Sequence, residues 1–247
     1  TQNRFVEPST TGTIEWAGLG LILTYVVVPQ PSLTLRMIVA IVFSLIGTLI
    51  FFAFLQRVAL KSSLVVPIVG LMLGAVVGAV STFVALQTDM LQSLGIWFAG
   101  SFTGVTKGRY ELLWIVALMT IIVYFIADRF TVAGLGQEIA TSVGLNYRAV
   151  VLTGILIVAV VTGVVSVVVG SLPFLGLVVP NIVSMFRGDN LRSNLPWVML
   201  VGIVVITLTD IIGRTIIMPF EIPVSMILGV FGATVFVYLI VKRGRRG

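Results

Sequence analysis

Apolar residues in this chain fall into eight runs near membrane-span length: 14–29, 33–55, 64–86, 111–127, 149–171, 173–187, 196–217 and 223–241. No other feature restricts the fold so tightly. A hydrocarbon core about 30 Å thick asks for roughly 20 consecutive apolar residues per helix. Only helices and closed barrels satisfy their backbone in lipid, and unalternating runs of this length are helical. With 58% hydrophobic and only 10% charged residues, the chain is too apolar for one soluble core, since soluble domains carry roughly 25% charged residues. The expected fold is an all-α polytopic membrane protein, one transmembrane domain over residues 1–247. The first and sixth runs are short, and Pro173 and Pro180 predict that the sixth is bent or partly broken.

Eight crossings put both visible ends on one side, and the 15 basic residues test that arrangement. On the side of the ends lie Arg4, Arg57, Lys61, Arg129, Arg148, Arg187, Arg192, Lys242, Arg243, Arg245 and Arg246; the other side holds Arg36, Lys107, Arg109 and Arg214. Eleven against four, by the positive-inside rule, places both ends in the cytoplasm. The net charge of +6 is therefore a membrane signature, not a nucleic-acid one. His and Cys are both absent, which removes disulfides, Cys/His zinc sites, His-ligated haem and histidine proton relays.

Between the third and fourth runs, LQTDMLQSLGIWFAGSFTGVTKGRYE is mildly apolar and too short to span; it predicts a short interfacial helix with Trp97 at headgroup level. Residues 128–148, DRFTVAGLGQEIATSVGLNYR, are polar enough to form a cytoplasmic loop, read as two short helices broken at Gly144. In the third run Gly70, Gly74 and Gly78 share one helical face. Such a face serves helix packing or the smooth wall of a pathway. Asp210 and Arg214 stand i and i+4 in the seventh run and predict a buried ion pair. Glu15 has no partner close in sequence and reads as a wet residue near the cytoplasmic end. GSFTGVTKG at 100–108 fails the spacing of a phosphate loop, so no ATPase is visible in the chain. No catalytic, cofactor-binding or metal-binding group is expected.

Four segments in order resemble the FecCD family, the iron-siderophore and vitamin B12 permeases of bacterial ABC importers. NRFVEPSTTGT is similar to that family's Asn-Pro-Leu-Ala-Glu-Pro segment after the second helix. GQEIATSVGL resembles its cytoplasmic coupling loop, with Ala140 followed four residues later by Gly144. LPFLGLVVPNIVSMFRGDN resembles the Phe-x-Gly-Leu-x-x-Pro-His segment, and FEIPVSMILGVFGATVFVYLIVKR the last helix with its Glu-x-Pro start. The family's Pro-His is Pro180–Asn181 here, Ser184 stands where an Arg often follows, and Thr141 replaces the Arg usual after the loop alanine. These departures resemble the branch for catecholate-type siderophores such as petrobactin or enterobactin.

The resemblance implies a vitamin B12 permease-like bundle. The family has ten spanning helices and the match begins after the second, so two N-terminal helices are expected to be absent here. It implies a permease subunit that moves ferric siderophore inward, with ATP bound and hydrolysed by a partner. The implied partners are a second permease subunit, identical or similar, two ATPase subunits, and an extracellular siderophore-binding protein. Gln137, Glu138, Ile139, Ala140 and Gly144 would form the coupling element, and Ala140 would have to be small to fit the ATPase. Gly70, Gly74 and Gly78 would face the pathway or the partner subunit. Arg36, Lys107, Arg109 and Arg214 would meet acidic residues of the binding protein. The alternatives are an ion-coupled secondary transporter, for which Asp210 is the candidate carboxylate, and a structural membrane anchor.

Overall fold

A computed structural model describes Glu7, residues 10–57 and residues 65–244. Arg4, Lys61, Arg245 and Arg246, and the side chains of Lys242 and Arg243, lie outside the described residues, as does most of NRFVEPSTT. The described residues are helical throughout, with no strand: α1 Thr13–Val27, α2 Leu33–Arg57, α3 Val65–Gln87, α4 Leu91–Phe98, α5 Leu113–Ala133, α6 Gln137–Ser142, α7 Tyr147–Val168, α8 Leu175–Arg187, α9 Leu191–Thr215 and α10 Val224–Gly244. A 3-10 turn, Tyr110–Leu112, leads into α5. Five helices are long and apolar enough to cross a membrane, within α2, α3, α5, α7 and α9, and three shorter apolar helices lie in α1, α8 and α10. All eight apolar runs are therefore helical, and α4 is the short helix expected between the third and fourth.

α2 lies along both α1 and α7, α1 also touches α3, and α5 packs on α7. α8, α9 and α10 form a second group, joined to the first where α9 meets α5. In lipid, helices associate through close packing rather than through release of water, which favours small residues at crossings. Ala17, Ala40, Ser44 and Ala159 are all fully buried. At Gly163 of α7 a Cβ would sit 2.7 Å from the Ile41 backbone nitrogen, so only glycine lets α7 approach α2 this closely. Around that crossing Met37, Val164, Val168 and Val169 form the main apolar cluster.

Two boundaries differ from those expected. α9 starts at Leu191, before the apolar run, because Asn190 caps it: its side chain accepts from the Ser193 N–H at 3.0 Å. The loop at 128–148 holds one short helix rather than two. Its first residues prolong α5, and the residues beyond Gly144 begin α7, capped by Asn146 on the Ala149 N–H at 3.1 Å.

The sixth run breaks before its helix rather than within it. Gly170 and Phe174 both have positive φ, 96° and 62°, and α8 begins only at Leu175, leaving Pro173 outside. The Glu7 carboxylate accepts from the Phe174 N–H at 3.2 Å, satisfying a donor at a helix start where negative charge is favoured. Further along, Pro180 cannot donate to the Gly176 carbonyl, and the Asn181 side chain donates to the Leu177 carbonyl at 2.7 Å.

Candidate functional site

Because the helices alternate in direction, the loops collect at two ends, one bearing α4 and the other α6. The α6 end is the simpler. Gly136, at φ 112°, precedes α6, and Gly144, at φ 80°, lies just past it. The Leu145 N–H donates to the Ala140 carbonyl at 2.9 Å and the Gly144 N–H to the Thr141 carbonyl at 3.0 Å. That bond pair is a Schellman stop, which needs a left-handed residue where Gly144 stands. Among the described residues α6 touches only α5 and α7. Ala140 is wholly buried against its own chain, while Leu135, Ile139 and Val143 are 58%, 49% and 66% exposed. Ala140 thus faces the bundle, and Leu135, Ile139 and Val143, spaced four apart, are the exposed apolar residues around α6. Gln137 and Glu138 are exposed beside them. A cavity of about 440 Å³ opens at this end, lined mainly by apolar side chains such as Phe51, Phe130 and Val151.

The α4 end is built from three separate segments. A Cβ at Gly100 would overlap the Ser171 carbonyl. The Ser101 N–H donates to the Val169 carbonyl at 2.9 Å, and the Ser225 N–H to the Gly100 carbonyl at 3.0 Å. Thr103 donates to the Glu221 carboxylate. Arg214 Nε donates to Asp210 Oδ2 at 2.9 Å, and its Nη1 lies 3.9 Å from Glu221 Oε1. The loop after α4, the α7–α8 break and the α9–α10 turn are thereby tied together.

The four basic residues expected to act alike are in three different settings. Lys107 is exposed. Arg214 is committed to two carboxylates, and the Asp210–Arg214 pair, expected to be buried, is 26% and 42% exposed within this chain. Arg36 and Arg109 share a cavity of about 350 Å³ with Tyr25 and Trp97. Trp97, expected at headgroup level, stacks on Tyr25 with ring centroids 4.6 Å apart.

The glycine face also divides. A Cβ at Gly70 would overlap the Thr10 carbonyl, and one at Gly74 would lie 3.2 Å from Gly12 Cα and 3.3 Å from the Glu15 carboxyl. These two glycines are filled from within the chain, by the segment entering α1. A Cβ at Gly78 would meet nothing within 4 Å among the described residues beyond its own helix. Glu15, read as wet, has Oε2 buried with no hydrogen-bond partner. Glu7 was missed as a cap on α8 because 167 residues separate it from Phe174; only the Glu of the quoted N-terminal segment hinted at it.

An eight-run helical bundle with one short helix at each end has the architecture of a membrane permease. The FecCD transport family model matches residues 1–242, and the chain belongs to that family, whose members are multi-pass proteins of the cytoplasmic membrane. It is 58% identical over 98% of its length to the petrobactin import system permease protein FatD of Bacillus anthracis, covering 73% of that protein. The petrobactin import system permease protein YclN of Bacillus subtilis is 42% identical, with 98% of this chain and 77% of that protein covered. The ferric-anguibactin transport system permease protein FatD of Vibrio anguillarum is 36% identical over the same shares, 98% and 77%. Among solved structures, an inward-facing metal-chelate type ABC transporter shares the fold, with a TM-score of 0.83 at 24% identity over 97% of this chain and 77% of that one.

Proposed function

We propose that this chain is the membrane-spanning permease subunit of an ABC importer that carries a ferric siderophore into the cytoplasm. The family match and the three siderophore permeases among its relatives support the substrate class. The observation that carries the mechanism is α6: a short helix outside the apolar runs, stopped at Gly144, where Ile139 on the helix and Leu135 and Val143 at its two ends leave an apolar patch exposed among polar residues. Such a patch asks for a partner, and ATPase subunits are that partner. The α6 end is then cytoplasmic, as the basic residues Arg57, Arg129, Arg148, Arg187 and Arg192 at that end support. Two permease subunits enclose the path, and the face of α3 that carries Met72, Val76 and Phe83, all more than 60% exposed, is available to the second.

In this mechanism the chain performs no bond chemistry. ATP binding and hydrolysis in the partner shift α6, and α6 moves with α5 and α7, its two contacts. The pathway opens alternately to each side. A binding protein delivers the chelate at the α4 end, where Lys107 is an exposed cation. Arg214 holds Asp210 in an ion pair, which leaves the ion-coupled reading without a free carboxylate at its candidate position.

The test replaces Ile139 and Val143 by Asp, singly, in the permease co-expressed with its ATPase. Each variant should keep its thermal stability, retain less than a tenth of the co-purifying ATPase, and lose ferric siderophore uptake. Uptake at the parental rate in both variants would remove α6 from the coupling path.

A further inference from the structure

Arg36 and Arg109 line one cavity that contains no carboxylate among its lining residues. We propose that this cavity binds a small planar anion of the aromatic-carboxylate class. The inference rests on the permease reading only in taking the α4 end as the outer mouth and an anionic arm of the transported chelate as the natural occupant.

Each arginine is anchored but not neutralised. Arg36 Nη1 donates to the Tyr25 hydroxyl at 2.7 Å, with Cζ 5.6 Å from the Tyr25 ring centroid, and its Nε is buried without a hydrogen-bond partner. Arg109 Nη1 donates to the Gly104 carbonyl at 3.1 Å. A guanidinium carries five N–H donors, so one side-chain bond apiece leaves most of their donor capacity and all of their charge. Among the described residues neither makes a salt bridge. The nearby carboxylate of Glu221 is held by Thr103 and Arg214 instead. Two cations on a concave wall without a counter-ion draw in an anion, and the guanidinium fork matches a carboxylate in particular.

The rest of the lining narrows the ligand. Tyr25 and Trp97, stacked at 4.6 Å with 19° between their planes, supply an aromatic wall, and Val167, Val168 and Val169 an apolar one. Ser101 and Ser166 add hydroxyls. An inorganic anion would leave the aromatic wall unused, and a neutral ring would leave both arginines unpaired. At about 350 Å³ the cavity is at the small end of ligand pockets: room for one ring with its carboxylate, not for a whole chelate.

The experiment uses the full permease in lipid nanodiscs, with Trp16, Trp114 and Trp197 changed to Phe so that Trp97 alone fluoresces. Benzoate is the probe, benzamide its neutral isostere, and acetate the anion without a ring. Benzoate should change Trp97 emission saturably, acetate at least tenfold more weakly, and benzamide not at all. Arg109→Gln should weaken benzoate at least tenfold and Lys107→Gln leave it unchanged. Arg36→Gln should match Arg109→Gln; because it also cuts the Tyr25 bond, thermal unfolding is measured alongside and Arg109→Gln decides if it misfolds. Equal responses to benzoate and benzamide, or parental binding in Arg109→Gln, would overturn the proposal. So would a Trp97 response seen only when the binding protein docks, which would make the occupant an acidic side chain of that partner. Siderophore uptake is read separately: a parent that imports without binding benzoate sinks the cavity alone, and one that binds benzoate without importing sinks the importer reading alone.

Discussion

The two ends of the bundle are finished in opposite ways. At the α4 end, three segments distant in sequence are tied by backbone hydrogen bonds through Gly100, Ser101 and Ser225, and by the Thr103–Glu221–Arg214 chain. At the α6 end, a helix of 6 residues rests on the two helices that flank it in sequence and turns Leu135, Ile139 and Val143 outward. Both ends leave apolar side chains exposed, Met218 and Phe220 at one and Ile139 and Val143 at the other, but one end is tied across distant segments and the other rests only on its sequence neighbours. The difference teaches where each kind of damage should register. A fault at the α4 end should be felt by the fold, and a fault on the outward face of α6 by the partner.

The harshest way to break this contrast is Gly100→Val. Its side chain would collide with the Ser171 carbonyl, and backbone of the α7–α8 break cannot yield as a flexible side chain could. Overpacking costs about 1–3 kcal/mol and occasionally more, and here the upper end is expected. Monodisperse protein on size exclusion should fall to a small fraction of the parent. Gly78→Val, with nothing within 4 Å to meet, should keep its yield. Equal yields for the two would show that the α4 end is looser than its hydrogen bonds imply.

Ala140→Leu sharpens the comparison at the other end, because Ala140 is the one member of α6 that faces its own bundle. Leucine there should lower permease stability by about 1–3 kcal/mol, read as a reduced melting temperature in the absence of any ATPase. An unchanged melting temperature with lost ATPase binding would return Ala140 to the partner-facing side.

Ala140 also shows where sequence reasoning stops. The eight apolar runs and the short helix at 91–98 were legible because lipid imposes its requirement on each segment separately. The stop at Gly144 was legible for a similar reason: a helix C-cap is local chemistry. Which face of a 6-residue helix turns inward depends on α5 and α7, and a helix of under two turns has no periodicity long enough to reveal it. The basic residues show the same limit. Their distribution between the two ends came from counting, yet Arg36, Lys107, Arg109 and Arg214 received one common role. What separates them is Tyr25, Gly104, Asp210 and Glu221, and only the i,i+4 partner Asp210 could be found from spacing. Gly70 and Gly78 likewise share a helical face but not an environment, since the segment entering α1 covers one and stops short of the other.

The smallest effect is expected at Lys107, and it probes the α4 end from outside. Lys107 is exposed and takes no part in the network that ties that end together, so Lys107→Glu should leave the melting temperature of the permease unchanged. It does replace a positive charge by a negative one on the surface that a binding protein approaches on the proposed reading. Charges at the rim of an interface act mainly on the rate of encounter, and their reach shrinks from about 30 Å at 0.01 M salt to about 8 Å at 0.15 M. Stopped-flow association of the binding protein with the nanodisc-embedded permease should therefore slow several-fold at low salt and hardly at all at physiological salt, with dissociation unaltered. An altered dissociation rate or a lowered melting temperature would mean that Lys107 is part of the closed structure. An association rate indifferent to the substitution at every salt concentration would move docking away from this loop.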